Sequence, residues 1–413
     1  MPYLFGVAEQ TPTPRRIFLI DADAFYVAVA RIVDPEGAGR APLLIVGGSA
    51  EGRGVVCSAS YEARGFGVRS AMPMSQALRL CPNAMCVPVP GHASARKHAE
   101  IRVVLDRFAP VVQAASIDEW YADLGGTETM YEGLSLASIA HRMRDAVVAE
   151  TGLTVSIGGG TTKLVAKCAV EKAKPKPGTG ANGVNIIAPG EEIAFMRQLA
   201  LADIPGIGPK ATARLSERGL ESVEDVLALD DAALARLVGP RDAEWLAARV
   251  YGIDEGAVAE RDVAKSISRD ETFAADIDDD LLLEGELTEL AGRAAADLRG
   301  DALTARTITV RIRDRDFTTR QASRTVDEAL ASDRAIFIVA RALLYKLRKA
   351  RRVPVRLLGV GLSNFTPPPV RQLGLFGEQS ASLETAKYRD VSRAVDAVRD
   401  KFGRGAIAPG RKH

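Results

Sequence analysis

The sequence predicts a multidomain α+β protein, and three observations carry that prediction. Short β runs alternate with helical stretches over residues 15–188. An Ala/Leu-rich segment, Glu191–Tyr251, is helical in pattern and broken at Gly-Pro steps. From Val263 the pattern becomes strand, helix, two strands, helix, strand, ending near Phe365. A chain of 413 residues has room for roughly two to four such domains.

The first unit opens with Arg15–Asp23, RRIFLIDAD, a β run ending in acids. Leu43–Val46 and Gly54–Cys57 read as further strands, and Ala71–Leu80 as a helix. Val111–Leu124 reads as a hairpin with Ser116–Glu119 near its turn. Leu136–Glu150 has helical periodicity, Thr154–Ile157 is a strand and Thr161–Lys172 a second helix. The Lys-, Pro- and Gly-rich Lys172–Gly183 is a loop. Beyond Thr366–Pro369 the chain is polar and reads as disordered, apart from one short apolar cluster.

Composition bounds the function. The hydrophobic fraction of 47% and charged fraction of 26% are ordinary for globular protein, and no apolar run reaches the ~18 residues of a membrane span. The N-terminal segment MPYLFGVAEQTPTP lacks Lys and Arg and makes a poor secretory signal. Cys57, Cys81, Cys86 and Cys168 form no metal-ligand spacing, which points to reduced thiols in a cytosolic protein and no zinc site. Charge is unevenly divided late in the chain. Asp270–Glu289 has nine acids and no base, whereas Leu303–Arg356 has fourteen bases and five acids. Alternation in Ile308–Phe317 would place Arg311, Arg313 and Arg315 on one strand face, suited either to a phosphate backbone or to solvent.

The chemistry lies in the carboxylates. Asp118 and Glu119 are neighbours in an otherwise apolar or small-residue run, so a covered strand would turn at least one of them toward protein. Asp21 and Asp23 end an earlier strand. If the fold joins the two strand ends, three or four carboxylates converge and demand a counter-charge, for which a pair of Mg²⁺ ions is the most suitable. Otherwise they are solvated strand-end acids. Tyr61, Arg64 and Arg69, set among small residues in Ala59–Pro73, and Lys174 offer contacts for triphosphate oxygens. Leu201–Leu215, LADIPGIGPKATARL, resembles a helix-hairpin-helix, whose Gly206 and Gly208 let backbone approach an anion at a helix start.

Taken together, DADAFY (Asp21–Tyr26), ASYEARGFGVRSAMP, SIDE (Ser116–Glu119) and IPGIGPK resemble a Y-family translesion DNA polymerase of the bacterial DNA polymerase IV type. The resemblance runs from about Arg15 to Phe376 and implies a right-hand polymerase. Its parts are a mixed-sheet palm (15–31 and 91–188), small fingers (32–90), a helical thumb with the helix-hairpin-helix (189–256), a linker (257–264), an α/β little-finger domain (265–365) and a disordered tail (366–413). It implies that Asp21, Asp118 and Glu119 are catalytic and, with the Ala22 carbonyl, hold two Mg²⁺ ions, for which Mn²⁺ can substitute. Tyr26 becomes the steric gate against ribose. Phe25, Tyr26, Ser58, Tyr61, Arg64 and Lys174 contact the nucleotide. Asp23 matches a frequent family acid without being assigned as a ligand. Gly206, Gly208, Lys210, Arg311, Arg313 and Arg315 contact DNA, and Gln372, Leu373, Leu375 and Phe376 dock on a sliding clamp. The implied partners are primer–template DNA, dNTP and the clamp, with no membrane, for a monomeric, cytoplasmic, nucleoid-associated enzyme of low fidelity.

Three positions depart from the family pattern. Trp120 follows the Asp-Glu pair where a small residue is usual, the Lys174 loop is longer, leaving Lys174 against Lys176 open, and Ser58 stands where threonine is common. A catalytically silent DNA- and clamp-binding scaffold, a nucleotidyl cyclase with a two-metal palm and a purely structural protein are the rival classes. Retention of all three acids and the helix-hairpin-helix argue against them.

Overall fold

The computed structural model describes residues 14–175, 180–260, 264–367 and 382–407. The chain divides into two units, Met1–Arg261 and Asp262–His413.

The first unit runs β1 (Ile17–Ala22), α1 (Phe25–Val33), β2 (Leu44–Gly47), β3 (Val56–Ala59), α2 (Tyr61–Gly65), α3 (Met74–Leu80), β4 (Met85–Val87), α4 (Gly91–Leu105), β5 (Val111–Ala114) and β6 (Glu119–Asp123). It continues through α5 (Leu136–Thr151), β7 (Val155–Gly160), α6 (Lys163–Ala173) and β8 (Val184–Ile186) to the helices α7 (Glu192–Met196), α8 (Pro209–Ser216), α9 (Val223–Leu227), α10 (Asp231–Val238) and α11 (Pro240–Val250). The main sheet has the order β5-β6-β1-β7-β8, and a small sheet the order β3-β2-β4.

β1 is central and wholly buried, antiparallel to both β6 and β7. Its alternation divides the core. Phe18, Ile20 and Ala22 join the apolar residues of α1, α4 and α5, while Ile17 and Leu19 pack against Ala166 and Val170 of α6. Asp21 shares the parity of Ile17 and Leu19 and faces α6.

Thr162 caps α6, accepting from the Val165 N–H, and Pro175 follows its end. The helix lies very close to β7: a Cβ at Gly158 would stand 2.2 Å from Val170 N and 2.4 Å from Ala166 O. Another face of α6, with Leu164, Val165, Cys168 and Ala169, packs into the core of the α7–α11 bundle. In that bundle Ile204–Pro209 makes the hairpin, with Gly206 at φ +99° against the Trp245 ring. Past α11, Arg15 donates to the Gly256 carbonyl at 2.6 Å, and Val258 is buried against Ile17 and Leu19.

The second unit has β9 (Ser266–Ile277), α12 (Asp280–Gly300), β10 (Thr304–Asp314), β11 (Thr319–Leu330), α13 (Asp333–Ala350), β12 (Val355–Thr366) and α14 (Ala386–Phe402). The sheet order is β11-β10-β12-β9, all antiparallel, with the buried faces of α12 and α13 supplying its core.

Two expectations are corrected here. The acidic and basic runs pair with each other within the unit, Arg348 binding Asp278 at 2.6 Å and Asp280 at 2.7 Å and Arg341 binding Glu284 at 2.8 Å, while inside the basic run Arg351 bridges Asp314 and Asp316. The expected disordered tail contains α14. Asp396 pairs with Arg299 at 2.6 Å, and the buried Glu384 carboxylate accepts from Ser332 Oγ at 2.9 Å and from the Ala331 and Ser332 N–H groups. The polar composition that reads as disorder is here spent on ion pairs with the domain.

Gly158→Ala tests the close approach of α6. The new methyl meets helix backbone, which cannot rotate away, so α6 must retreat from the sheet. The expected cost is about 1–3 kcal/mol, read as a lowered midpoint in urea or heat. An unchanged midpoint would contradict the packing described.

Candidate active site

The β1–β6 register places Asp21 opposite Glu119. Alternation along β6 then sends Glu119 to the α6 side and Trp120 into the opposite core, where it is fully buried. Asp21 is 6% exposed. Its neighbours are cations. Lys174 Nζ lies 2.9 Å from Asp21 Oδ2, and Lys167 Nζ lies 4.0 Å from the same oxygen while hydrogen-bonding Glu119. Burial pushes the Asp21 carboxyl up to about 7, against the pull of Lys174, and Glu119 adds to the rise. Burial pulls Lys174 down, but Asp21 and Glu171 outweigh it and hold the ammonium above the usual lysine range.

Asp118 stands just before β6, in the turn. Its carboxylate accepts from Ser116 Oγ at 2.5 Å, and its carbonyl accepts from the Ala22 N–H at 2.9 Å. Asp23 is buried against Ser156 Oγ at 2.8 Å, and burial raises its pKa. Of the four acids, Asp21 and Glu119 face each other across the strands, Asp118 adjoins the end of β1 with its carboxylate on Ser116, and Asp23 is satisfied by a hydroxyl. Among the described residues no three Asp, Glu, His or Cys side chains form a group placed to hold a metal ion. Two lysines instead neutralise the pair.

The other predicted residues lie around this pair. Tyr26 is half-buried at the start of α1; burial raises its pKa and the nearby charge of Asp118 adds to it. Phe25 is in the core, its ring 5.6 Å from that of Tyr26, so it supports the tyrosine and presents no side chain of its own to a nucleotide. Tyr61 is 42% exposed, with Arg64 over its ring at 5.1 Å, and its pKa is raised by burial and by the charges of Asp23 and Asp21. Arg64 Nε is tied to the Ala59 carbonyl at 2.9 Å. Arg69 binds the Arg64 carbonyl at 2.7 Å, bracing the loop. Ser58 is buried on β3. Lys174 is the lysine at Asp21, and Lys176 lies outside the described residues.

Residues 20–171 match the impB/mucB/samB family, 264–375 its C-terminal domain, and 199–247 a SAM-like helix-hairpin-helix tandem. The DNA polymerase IV of Dehalococcoides mccartyi is 35% identical over 97% of this chain and 98% of its own. That of Methanoculleus marisnigri is 37% identical over 88% and 98%. A solved Y-family DNA polymerase chimera of Dbh and Dpo4 superposes with a TM-score of 0.75 at 26% identity, covering 86% of this chain and all of that one. This chain belongs to the Y family of DNA polymerases.

Lys167 is the residue that sequence reasoning passed over in this Y-family site. Its signal was present: Lys163, Lys167 and Lys174 are spaced by four and seven residues, which sets them along one side of a helix. Away from the acids, Gly208 and Lys210 are exposed at the start of α8. In the second unit Arg311 and Arg313 share the open sheet face, but Arg315 falls past the end of β10, in the turn, because the register shifts at Arg313/Asp314. That face is less basic than expected. Arg311 meets Asp270 at 3.3 Å, and around it stand Thr307, Thr309, Ser323, Gly359 and Gly361. Residues 372–376, the expected clamp peptide, lie outside the described residues. Among the described residues no helix is long and apolar enough to cross a membrane.

The charge balance has opposite tests. Glu119→Gln removes a negative neighbour from Asp21 and frees Lys167, so the Asp21 midpoint should fall below about 7, whereas Lys174→Met should raise it. Carboxyl-carbon NMR titration reads both. Because the folded midpoint lies above the ordinary 3.8, Asp21 stabilises the fold fully below that value. This contribution is lost as pH rises toward about 7, over a window that Glu119→Gln should narrow.

Proposed function

We propose that the site around Asp21 and Glu119 adds deoxynucleotides to a primer 3′ end under template direction, as translesion synthesis by a DNA polymerase IV. The observation that carries the assignment to these residues is the buried Asp21 facing Glu119 across β1 and β6, with Lys174 and Tyr61 around it. Solved Dbh relatives at 25% identity, described as an insertion ternary complex and a ternary complex with partially disordered substrates, support DNA as the partner and a nucleotide as the substrate.

The donor set suits hard divalent cations. It is all oxygen, and a buried carboxyl raised by desolvation gains from a cation beside it. Asp21, Asp118, Glu119 and the Ala22 carbonyl are the groups that would hold two Mg²⁺. Bound there, the ions would polarise phosphate and neutralise charge developing on oxygen. The chain's own residues do the rest. Lys174 and Lys167 keep the acids compensated in the free chain. Lys174, with Tyr61 and Arg64, would take triphosphate oxygens. The Tyr26 ring, backed by Phe25, lies beneath the sugar and excludes a 2′-hydroxyl. Glu119 faces the primer 3′-hydroxyl.

DNA is held by its backbone at Gly206, Gly208 and Lys210 in the hairpin and at Arg311, Arg313 and Arg315 in the second unit. Gln372, Leu373, Leu375 and Phe376 resemble a clamp-docking peptide, which would raise the local concentration of a monomeric enzyme at the primer end.

Asp118→Asn keeps the shape of the turn and removes one charge. Primer extension in Mg²⁺ should fall by orders of magnitude, about tenfold for each 1.4 kcal/mol lost, while DNA affinity stays near the parent's. Near-parental extension would refute the assignment. Replacing Arg311 and Arg313 by Ala should weaken binding to any sequence. It should also flatten the salt dependence by up to ~0.9 in log–log slope for each phosphate no longer neutralised. An unchanged slope would place those arginines away from the duplex.

A further inference from the structure

Trp120 follows the Asp118–Glu119 pair, and the structure shows what it touches. Its indole lies on the core side of β6, registered against Ile20 and Ala114, and stacks on His98 of α4 with ring centroids 4.8 Å apart and planes 25° from parallel. His98 Nδ1 is 2.9 Å from the Ile117 carbonyl oxygen. A carbonyl only accepts, so Nδ1 carries the proton and donates. His98 therefore reaches from α4 to the turn that presents Asp118.

Ile117 C=O belongs to the peptide plane before Asp118. The plane after it carries the Asp118 carbonyl, which accepts from the Ala22 N–H. Each plane is rigid, so holding both fixes φ and ψ of Asp118 and the direction in which its carboxylate leaves the backbone. The Ala115 N–H, at 2.9 Å from the Glu119 carbonyl, closes the turn around them. The Trp120 ring fixes the plane of the imidazole. It does so although its buried indole nitrogen finds no acceptor, a cost that a small residue would not carry.

We infer that His98, aligned by Trp120, is a positioning residue for Asp118, acting through the Ile117 carbonyl. The inference rests on the reading of Asp118 given above. It assigns to this chain a brace built from two side chains beneath the turn that presents Asp118.

Two substitutions at one position separate the hydrogen bond from the packing. His98→Phe keeps an aromatic ring on Trp120 and removes the donor. His98→Gln removes the stack and keeps an N–H within reach of the carbonyl. Single-nucleotide extension is measured in Mg²⁺, with thermal unfolding and DNA affinity as controls. His98→Phe is expected to lower kcat about tenfold, with KM for dNTP and DNA affinity within about twofold of the parent and an unfolding midpoint close to it, since misplacement of a reacting group costs rate before binding. His98→Gln is expected to recover more than half of the loss, and the remainder measures what alignment by Trp120 adds. Parental kcat in His98→Phe overturns the inference. So does an equal fall in both variants accompanied by an equal fall in unfolding midpoint, which is the signature of packing alone. If His98→Phe does not fold, His98→Gln decides: kcat near the parent's supports the hydrogen bond, and a tenfold loss refutes it. Asp118→Asn in the same assay separates the two readings. If it extends primers, the site assignment fails. If it is inactive while His98→Phe is parental, only the brace fails.

Discussion

The close approach of α6 to β7 is the constraint on which the rest of the first unit depends. At Gly158 helix backbone occupies the space a Cβ would need, so the helix is set against the sheet by backbone contact and not by adjustable side chains. Three consequences follow from that one distance. Ala166 and Val170 reach the apolar side of β1, Leu164, Val165 and Cys168 become the floor on which the helical bundle packs, and Lys167 and Lys174 arrive beside Asp21 and Glu119. A helix held farther out would leave two acids on neighbouring strands facing each other without compensation.

Compensation of acid by base is organised differently in the two units. At the site it is incomplete: Asp21 stays raised to about 7 in spite of two nearby lysines, because desolvation outweighs them. Such a carboxyl gains from any further cation. In the second unit compensation is extensive. Asp314, fully buried, accepts from Arg320 and Arg351, and Arg348 is shared between Asp278 and Asp280 at the start of α12. These pairs tie α13 and the β10–β11 turn to the rest of the domain, and they consume much of the positive charge that a linear count assigns to a ligand. What remains on the open sheet face is mostly hydroxyls and glycines with two arginines, one of them paired with Asp270.

The strands and helices of both units were legible in the sequence because their periodicities are strong. Ile17–Leu19, Thr154–Ile157 and the long alternation of Ile308–Ile312 all carry the apolar residues that the cores take up. The acids were legible as types in a run that had no apolar use for them. Their meeting depended on resemblance to a family, since no local pattern says that β1 lies between β6 and β7. Lys167 was missed because a lysine on a helix is ordinarily solvated, and only the register of α6 over the sheet shows where it points. α14 was misread because polar residues with buried partners far along the chain, Ser392 and Asp396 among them, look like solvent-facing ones. Arg315 was misplaced because a two-residue alternation was extended across a register shift.

The charged groups of the site are held before any ligand arrives. The acids, the lysines and Asp118 sit on strands, a capped helix and a closed turn, so their directions are preorganised. The region of β3 and α2 is built differently. Its small residues Ser58, Ala59, Ser60 and Ala63 are all buried, two of them in a core shared with Ile45, Val56 and Met74, whereas Tyr61 is half-exposed with Arg64 over its ring. The small residues therefore let this compact region close on itself, and what it offers to its surroundings is carried by Tyr61 and the exposed side chains beside it.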